Sequence, residues 1–320
     1  MNVIVAGGSG FLGRHVVEEL ARRGHRLTVL ARGTRTTPDT HDGNVETIAC
    51  DVAAGDLPIE RLRGADAIVN LIGIKRDTAA QTFQQVHVDA VRQLIELARQ
   101  ISARRFVHVS VVAARPDERH AYHDTKWQAE QLFKESGLDV TILRPGVIYG
   151  PGDDMITHLV KMIRFVPLFP VVGAGSSILQ PVHVHDVARC VAETLARPET
   201  IGATLEVVGP EPMQLREVVR TVATATGLKL WIVPTPIWFQ RVSVWLMNRL
   251  CSNPLSTPAQ LQMLIDGMAG DPRPVDEQLG VRPEPFRVET VAELQRGIPP
   301  LFGFSLRLLG GSGYPERKGQ

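Results

Sequence analysis

The chain has 320 residues, of which 44% are hydrophobic and 22% are charged, and its formal net charge is +1. This composition is ordinary for a globular protein and excludes wholesale disorder, and the near-zero charge gives no electrostatic reason to expect a nucleic-acid partner. Three widely spaced cysteines, Cys50, Cys190 and Cys251, fit neither a zinc motif nor a disulfide framework and favour a reducing, cytoplasmic location. We expect no signal peptide and no run of the roughly 18 uncharged residues that a membrane span needs.

The first residues of the chain read as a strand, a glycine-rich turn and a helix. Residues 3–5 are a short apolar run, residues 11–23 look helical and residues 27–31 look like a second strand; the turn contains Gly7, Gly8, Gly10 and Gly13. Glycines let the backbone approach a pyrophosphate closely, and the free amides at a helix N-terminus attract an anion. The motif follows a strand and opens a helix, so it predicts a dinucleotide site rather than a turn without a ligand.

The residue after the second strand of such a fold faces the adenosine ribose, where an acid suits a 2′-hydroxyl and an arginine suits a 2′-phosphate. That residue is Arg32, with Arg14 and Arg35 as candidate helpers, so the sequence favours NADP(H) and leaves NAD(H) open. A solvated Arg32 without a ligand is the alternative. A third strand is expected at residues 45–50, and the carboxylate of Asp51 after it could accept a hydrogen bond from the adenine amino group.

Strands and helices alternate through the first part of the chain. Apolar residues spaced by three and four predict a helix over residues 78–102, and further strands are predicted at residues 65–71, 105–109 and 140–143. This alternation predicts an α/β fold with a doubly wound parallel sheet and right-handed crossovers. The ligand of such a sheet lies across the carboxyl ends of its strands.

The second part of the chain is less regular. We expect a nucleotide-binding domain over residues 1–175, with residues 176–210 returning to its sheet through a strand at 204–208. Residues 211–303, which begin with an amphipathic helix, are expected to form a smaller, mostly helical lobe on the substrate side. Residues 304–320 are expected to be a tail.

Tyr122 and Lys126 are four residues apart at the start of a predicted helix, just after the fifth strand, so they share one helix face. A lysine ammonium near a phenol favours the phenolate and would lower the pKa of Tyr122. Tyr122 is therefore a candidate acid or base near neutral pH, and Lys126 is a candidate contact for the nicotinamide ribose. Ser110, at the end of the fifth strand, is a weaker catalytic candidate, because a buried structural hydroxyl is the simpler interpretation.

Several motifs follow one another in a characteristic order: Gly7-x-x-Gly10-x-x-Gly13, Asp51-Val52, Tyr122-x-x-x-Lys126, Arg144-Pro-Gly-Val-Ile-Tyr-Gly-Pro-Gly152 and Val182-His-Val-His-Asp-Val-Ala188. Together they resemble the extended and atypical members of the short-chain dehydrogenase/reductase superfamily, over roughly residues 1–210. The sequence segments at residues 106–110, 136–145 and 179–186 resemble those of a narrower group, the NADPH-binding accessory subunit of respiratory complex I and its bacterial relatives.

The resemblance implies a Rossmann-type fold with bound NADP(H). By that likeness the cofactor is lined by Gly7, Gly10, Phe11, Leu12, Gly13, Arg32, Asp51, Val52, Tyr122, Lys126 and the backbone from Pro145 to Val147. One position departs from the pattern. Catalytically competent members carry Ser or Thr where this chain has Val112, and a valine cannot donate a hydrogen bond to a substrate carbonyl.

Two functions remain as alternatives. The first is an NADP(H)-binding protein of the complex I accessory type, with weak or no turnover and a link to quinone metabolism or respiratory assembly, which Val112 favours. The second is an active NADP(H)-dependent reductase, or a nucleotide-sugar epimerase or dehydratase, that uses Tyr122 and Lys126. A scaffold with an empty pocket is disfavoured by the intact glycine turn.

Residues 231–250 form the most apolar stretch and contain three of the four tryptophans. Trp238 and Trp245 are seven residues apart and flank one helical face, whereas Arg241 and Asn248 share the opposite side. This pattern fits a helix at a membrane surface or beside a membrane protein complex, a helix that lines an apolar substrate pocket, or a protein contact. Peripheral association with the inner membrane is therefore an alternative to a purely cytoplasmic location.

His183 and His185 flank Val184 and precede Asp186, a pattern that invites a metal-site interpretation. A zinc site needs three or four ligands, and no third ligand is evident from the sequence. We predict packing histidines in a strand, Asp186 as a helix N-cap, and no metal site.

Overall fold

The computed structural model describes residues 1–33, 43–78, 80–153, 156, 157, 159, 160, 163, 168–227, 229–250 and 256–295. The predicted tail at 304–320 and the candidate helper Arg35 lie outside these residues. The described strands are β1 (Asn2–Ala6), β2 (Arg26–Ala31), β3 (Val45–Ala49), β4 (Ala67–Asn70), β5 (Arg105–Val109), β6 (Asp139–Pro145), β7 (Ile148–Tyr149), β8 (Leu168–Val172), β9 (Ile178–Leu179), β10 (Val182–His183), β11 (Thr204–Val207), β12 (Met213–Gln214) and β13 (Trp231–Thr235).

The described α-helices alternate with these strands in the first part of the chain and predominate in its last part. They are α1 (Phe11–Arg22), α2 (Ile59–Leu62), α3 (Ala90–Ile101), α4 (Ala121–Glu135), α5 (Val184–Ala196), α6 (Leu215–Thr226), α7 (Ile237–Leu250), α8 (Pro258–Asp266), α9 (Arg273–Leu279) and α10 (Val288–Gln295). The predicted strands and the helices near residues 11 and 215 are confirmed, with ends that shift by no more than two residues.

Seven strands form one parallel sheet in the order β11-β6-β5-β4-β1-β2-β3. The predicted α/β fold with a doubly wound parallel sheet is therefore confirmed. Strand β1 pairs with β2 on one side and with β4 on the other, so the order of the strands reverses there. Ligands of open α/β sheets bind at such a reversal, outside the carboxyl ends of the strands. The glycine turn lies at the carboxyl end of β1.

Apolar residues on the two faces of the sheet form two separate cores. One core joins the sheet to α1 and α5, through side chains such as Val17, Leu20 and Val191. The other joins it to α3 and α4, through side chains such as Leu94 and Phe133. The central strands β4 and β5 are fully buried, as expected for parallel strands that are covered on both faces. The sheet is thus a rigid support for the loops at its carboxyl edge.

A third core packs together apolar residues that follow β6 in the chain. It joins β8, β9 and α6 to Val244 of α7, Leu261 of α8 and Val291 of α10. Strand β8 pairs in parallel with β13, immediately before α7. The division of the chain at residues 175 and 211 stays a prediction, but this core shows what supports α7 and α8.

Two local predictions need correction. The helix predicted over residues 78–102 begins at Phe83, whose amide donates to Asp77 Oδ1 at 2.6 Å, and a π-helical segment (Gln84–Asp89) runs directly into α3. Asp186 is not the N-cap of α5. The cap is His183, whose Nδ1 accepts from the His185 amide at 3.4 Å, so only His183 lies in a strand. Asp186 Oδ2 instead accepts from the Glu284 amide at 2.9 Å.

Candidate functional site

The glycine turn folds tightly between β1 and α1. The Gly10 amide donates to the Gly7 carbonyl at 3.1 Å, and Gly7 has a φ of +85°, which favours glycine. A Cβ on Gly13 would lie 2.3 Å from the Gly7 carbonyl oxygen, so this glycine lets the helix pack directly against the turn. Gly10 is the N-cap of α1, and no side chain caps the helix. The first-turn amides therefore present a site for an anion.

A cavity of about 150 Å³ lies beside this turn, over the carboxyl ends of the strands. Five predicted cofactor residues line it: Gly7, Gly10, Arg32, Asp51 and Val52. Asp51 Oδ1 accepts a hydrogen bond from the Ala53 amide at 3.0 Å, which fixes the carboxylate at the cavity wall. The glycine turn, the uncapped helix, the arginine and the carboxylate fit the phosphate and adenosine parts of a dinucleotide.

The other predicted cofactor residues lie outside the lining of this cavity. Leu12 packs against the core under α1, and Gly13 supports the turn. Phe11 lies beside the loop after β7, where a Cβ on Gly152 would be 4.0 Å from its ring. The Pro145 carbonyl accepts from the Val112 amide at 3.1 Å, and Val147 is buried.

Lys126 is buried on α4 beneath the carboxyl edge of the sheet. Its Nζ donates to the Val109 carbonyl at 3.4 Å, and a Cβ on Gly73 would be 3.4 Å from Nζ. Burial lowers the pKa of Lys126 to about 8, although the Glu130 carboxylate opposes this fall. An ammonium at this place faces the end of β5 rather than solvent.

The expected fall in the pKa of Tyr122 is wrong. Burial raises the pKa of Tyr122 to about 12, and no attraction to Lys126 offsets it. The tyrosine ring is surrounded by the rings of Phe83, His87 and His123, with centroid distances of 5.5, 5.6 and 5.8 Å. These apolar and weakly polar neighbours disfavour the phenolate. Tyr122 is therefore a protonated phenol at neutral pH.

His87 orients the start of α4, a role that the sequence analysis missed. Its Nε2 accepts from the Ile74 amide at 3.3 Å, so Nδ1 carries the proton and donates to Thr125 Oγ1 at 3.0 Å. Thr125 Oγ1 in turn donates to the Ala121 carbonyl at 2.6 Å. Burial holds the pKa of His87 well below its usual range, so the ring is neutral. In the sequence, the sign of this role is His87 itself, a histidine within the predicted helix over residues 78–102.

Ser110 is buried at the end of β5, and its Oγ has no hydrogen-bond partner among the described residues. Val112, two residues later, is half-buried and offers no side-chain donor. The site therefore presents one phenol and one ammonium on α4, with a lone serine hydroxyl at the neighbouring strand end.

A second cavity of about 360 Å³ lies on the other side of Tyr122, between the first turn of α4 and helices α7 and α8. It is lined by Arg119, His120, Ala121, Tyr122, His123, Arg241, Val244, Trp245, Pro258, Ala259, Leu261 and Gln262. Most of these side chains are apolar or aromatic. Such a lining suits an apolar ligand that reaches the tyrosine from the direction of α7.

Helix α7 exposes the apolar face that the sequence singled out. Trp238, Val242 and Trp245 are 67%, 56% and 60% exposed, and Val244 is the buried residue of this helix. Phe239, Leu246 and Leu250 are also exposed. Apolar patches of this extent mark binding surfaces. Among the described residues, no helix has the length and hydropathy of a membrane span.

The His185 ring contacts the rings of His183 and His15, with centroid distances of 4.8 and 5.1 Å. Within the described ranges, one group of three or more His, Cys, Asp or Glu side chains lies close enough to share a metal ion. It consists of Asp117, His120 and His123, which the sequence analysis did not single out.

The NAD dependent epimerase/dehydratase family profile matches residues 3–208. The chain is 30% identical over 234 residues to the ceramide reductase of Caulobacter vibrioides. The aligned region covers 73% of each protein. It is 26% identical over 305 residues to the mitochondrial NADH dehydrogenase (ubiquinone) 1 alpha subcomplex subunit 9 of Rattus norvegicus, covering 91% of this chain and 79% of that one.

A solved structure, MoeE5 in complex with UDP-glucuronic acid and NAD, superposes with a TM-score of 0.72 at 22% identity, over 92% of this chain and 99% of that one. This likeness supports the Rossmann-type fold. The family match spans the glycine turn, the strand order and the Tyr122–Lys126 pair, and it confirms the resemblance predicted from the motifs. The chain belongs to the NAD dependent epimerase/dehydratase family, within the extended short-chain dehydrogenases/reductases.

Proposed function

We propose that the chain is an NADP(H)-dependent reductase. Its substrate is a carbonyl group of an amphiphilic, largely apolar molecule at a membrane surface. The observation that carries this proposal is the cavity of about 360 Å³ that joins Tyr122 to the exposed apolar helix α7. A nucleotide-binding protein without turnover has no need for an open apolar route to its tyrosine.

The cofactor arrangement follows from the turn and its neighbours. The amides at the start of α1 hold the pyrophosphate, and Asp51 accepts from the adenine amino group. Arg32 binds the 2′-phosphate, which favours NADP(H) over NAD(H). Phe11, Leu12, Pro145 and Val147 line the path to the nicotinamide, which supplies hydride when reduced. Lys126 holds the nicotinamide ribose.

Tyr122 donates the proton. A phenol whose pKa is raised to about 12 is protonated at neutral pH, so it can donate a proton to the more basic alkoxide but is rarely present as a base. Carbonyl reduction needs such a donor at the developing alkoxide. Epimerisation begins with removal of a proton from a hydroxyl group, and that step is disfavoured for the same reason.

The substrate class follows from the lining of the cavity and from α7. Val244, Trp245 and Leu261 offer apolar contact, while Arg241 and Arg119 stand at its polar rim. Tryptophans at headgroup depth anchor interfacial helices, and in this proposal the exposed face of α7 rests on a membrane beside the cavity. The ceramide reductase of Caulobacter vibrioides, a relative by sequence, is named for a lipid substrate, which agrees with this class. A cytoplasmic protein that binds the inner membrane peripherally fits these features.

A second candidate is a nucleotide-binding accessory protein of a respiratory complex, with weak or no turnover and a link to quinone metabolism. Val112 favours it, because the usual hydroxyl donor to a substrate carbonyl is missing there. The 26% identity to a mitochondrial NADH dehydrogenase subunit agrees with this alternative.

Turnover separates the two. NADPH oxidation should be followed with short-chain and long-chain ketones in mixed micelles, for the wild-type chain and for Tyr122→Phe. If the chain is a reductase, the wild type should turn over the long-chain ketones and Tyr122→Phe should not. The variant should bind NADPH with the same affinity as the wild type. Tight NADPH binding without turnover of any ketone would overturn the reductase and support the accessory protein.

A further inference from the structure

Four side chains converge where the loop after β5, the start of α4 and the end of α8 meet. His120 Nδ1 lies 2.9 Å from Asp117 Oδ2. His123 Nδ1 lies 3.6 Å from Asp117 Oδ2 and 3.9 Å from Asp266 Oδ2. These side chains adjoin the cavity beside Tyr122, since His120 and His123 line it.

These separations match the spacing of ligands around one small cation. With Zn–N and Zn–O bonds of about 2.0–2.1 Å, neighbouring ligands of a tetrahedral site lie roughly 3.3 Å apart. The ligand atoms of Asp117, His120 and His123 all lie within 4.8 Å of one another. One ligand atom from each of Asp117, His120 and His123 is therefore close enough to share an ion, and Asp266, 3.9 Å from His123, is the candidate for the fourth ligand.

The carboxylates of Asp117 and Asp266 are oriented by hydrogen bonds from groups outside the cluster. Asp117 Oδ1 accepts from the Arg119 amide at 3.1 Å, which leaves Oδ2 directed at the histidines. Asp266 Oδ1 accepts from Gln262 Nε2 at 2.7 Å, which leaves its Oδ2 facing the same point. Metal sites use such outer hydrogen bonds to orient their carboxylate ligands.

His123 supplies an independent sign of a ligand. It is 1% exposed, yet neither ring nitrogen has a hydrogen-bond partner among the described residues. Buried polar atoms are rarely left without a partner. The gap of 3.6 Å to Asp117 is too long for a hydrogen bond and suits two atoms that share a metal.

Arg115 supplies a positive charge to the two carboxylates. Its Nη2 lies 2.6 Å from Asp266 Oδ2 and 3.2 Å from Asp117 Oδ2. Its side chain is 42% exposed, so the guanidinium can move into solvent when a metal ion takes over the carboxylates.

We propose that Asp117, His120, His123 and Asp266 form a binding site for a divalent transition metal of the zinc class. Imidazole nitrogens with carboxylate oxygens suit Zn²⁺, whereas Mg²⁺ and Ca²⁺ prefer oxygen ligands alone. The bound ion ties the end of α8 to the start of α4 and thereby fixes two walls of the cavity beside Tyr122. The site does not depend on the proposed reductase activity, because the four ligands lie outside the dinucleotide cavity.

The test uses the full chain without added nucleotide. Titration with Co²⁺ should give the strong visible absorption of a tetrahedral site, and Zn²⁺ calorimetry should give one ion per chain. His123→Gln should weaken Zn²⁺ binding by at least about 10–100-fold, since changes even to supporting residues have effects of that size. His185→Gln removes an imidazole from the other histidine group and should change nothing. If His123→Gln fails to fold, Asp266→Asn repeats the test at a ligand residue near the surface.

Arg115→Gln gives the most specific readout. If the guanidinium competes with the ion, removing it strengthens Zn²⁺ binding, whereas loss of a purely structural arginine weakens or spares it. The proposal is overturned if the wild-type chain binds no ion, if His123→Gln and Asp266→Asn bind Zn²⁺ like the wild type, or if Arg115→Gln fails to strengthen binding.

Discussion

Glu130 and Arg144 form a two-bond ion pair between α4 and β6, with Nε–Oε1 and Nη2–Oε2 distances of 2.9 and 2.5 Å. Glu130 is fully buried, and the Arg144 side chain is 20% exposed. The pair fixes α4 against the sheet two turns from Tyr122 and one turn from Lys126. The hydrogen bonds that Arg144 donates to Glu130 raise the pKa of Arg144, as expected for a paired charge.

Glu130→Ala should lower the free energy of unfolding by about 3–5 kcal/mol, because the change leaves Arg144 without its buried partner. Urea unfolding followed by circular dichroism measures this loss. The matched control is Glu60→Ala, which breaks the exposed pair with Arg63 and should leave the unfolding curve unchanged. Equal effects of the two substitutions would contradict the anchoring role of Glu130.

Gly13→Ala should disrupt the glycine turn. The new Cβ would lie 2.3 Å from the Gly7 carbonyl oxygen and 2.6 Å from the Gly8 carbonyl carbon, so the helix and the turn must move apart. Overpacking of this kind costs about 1–3 kcal/mol, and we expect both a lower melting temperature and weaker NADPH binding. Gly33→Ala, which meets no atom within 4 Å, is the control for stability. A Gly13→Ala protein that melts with the wild type would refute this packing.

The lowered pKa of Lys126 should make the stability of the fold depend on pH. Its pKa falls from the ordinary 10.5 to about 8 in the folded chain, so the unfolded chain binds more protons between these values. Stability should therefore rise as the pH increases from about 8 to 10.5, and the full penalty for the buried charge is present below pH 8. Lys126→Met removes a penalty of about 3 kcal/mol at neutral pH and flattens the curve.

Chemical unfolding of Lys126→Met across this pH range checks the result. Lys134→Met, an exposed substitution on the same helix, should retain the wild-type rise. A Lys126→Met protein that is less stable than the wild type at pH 7, with an unchanged slope above pH 8, would show that Lys126 is not buried as described.

Helix α7 predicts membrane binding. Trp238→Ala should reduce the fraction of protein that floats with anionic liposomes, because its exposed ring no longer enters the headgroup region. The unfolding curve should not change, since this side chain is 67% exposed. Ile201→Ala, an exposed apolar substitution away from α7, is the control. Flotation of Trp238→Ala equal to that of the wild type would argue against α7 as the anchor.

The sequence was sufficient for the sheet and for the glycine turn, because both depend on local patterns. Apolar runs mark the strands, and the positions of Gly7, Gly10 and Gly13 define the turn. The exposed face of residues 231–250 was also readable from the spacing of Trp238 and Trp245.

The chemistry around Tyr122 was not predictable in the same way. The i, i+4 spacing brings Lys126 to the same face, but its Nζ is directed to the Val109 carbonyl and leaves the phenol among aromatic rings. The metal-site candidate depends on Asp266, which is far from His123 in the chain and meets it only through the packing of α8. Contacts of this kind carry no local signal.

Calorimetric titration with NADPH and NADH tests the central claim most directly, for the wild-type chain and for Arg32→Ala. We predict one NADPH per chain, weaker binding of NADH, and a roughly 10–100-fold loss of NADPH affinity in Arg32→Ala with little change for NADH, as expected when one charge-assisted phosphate contact is removed. An absence of heat with both dinucleotides would contradict the account of the glycine turn. Equal binding of the two dinucleotides by the wild type would contradict the role of Arg32.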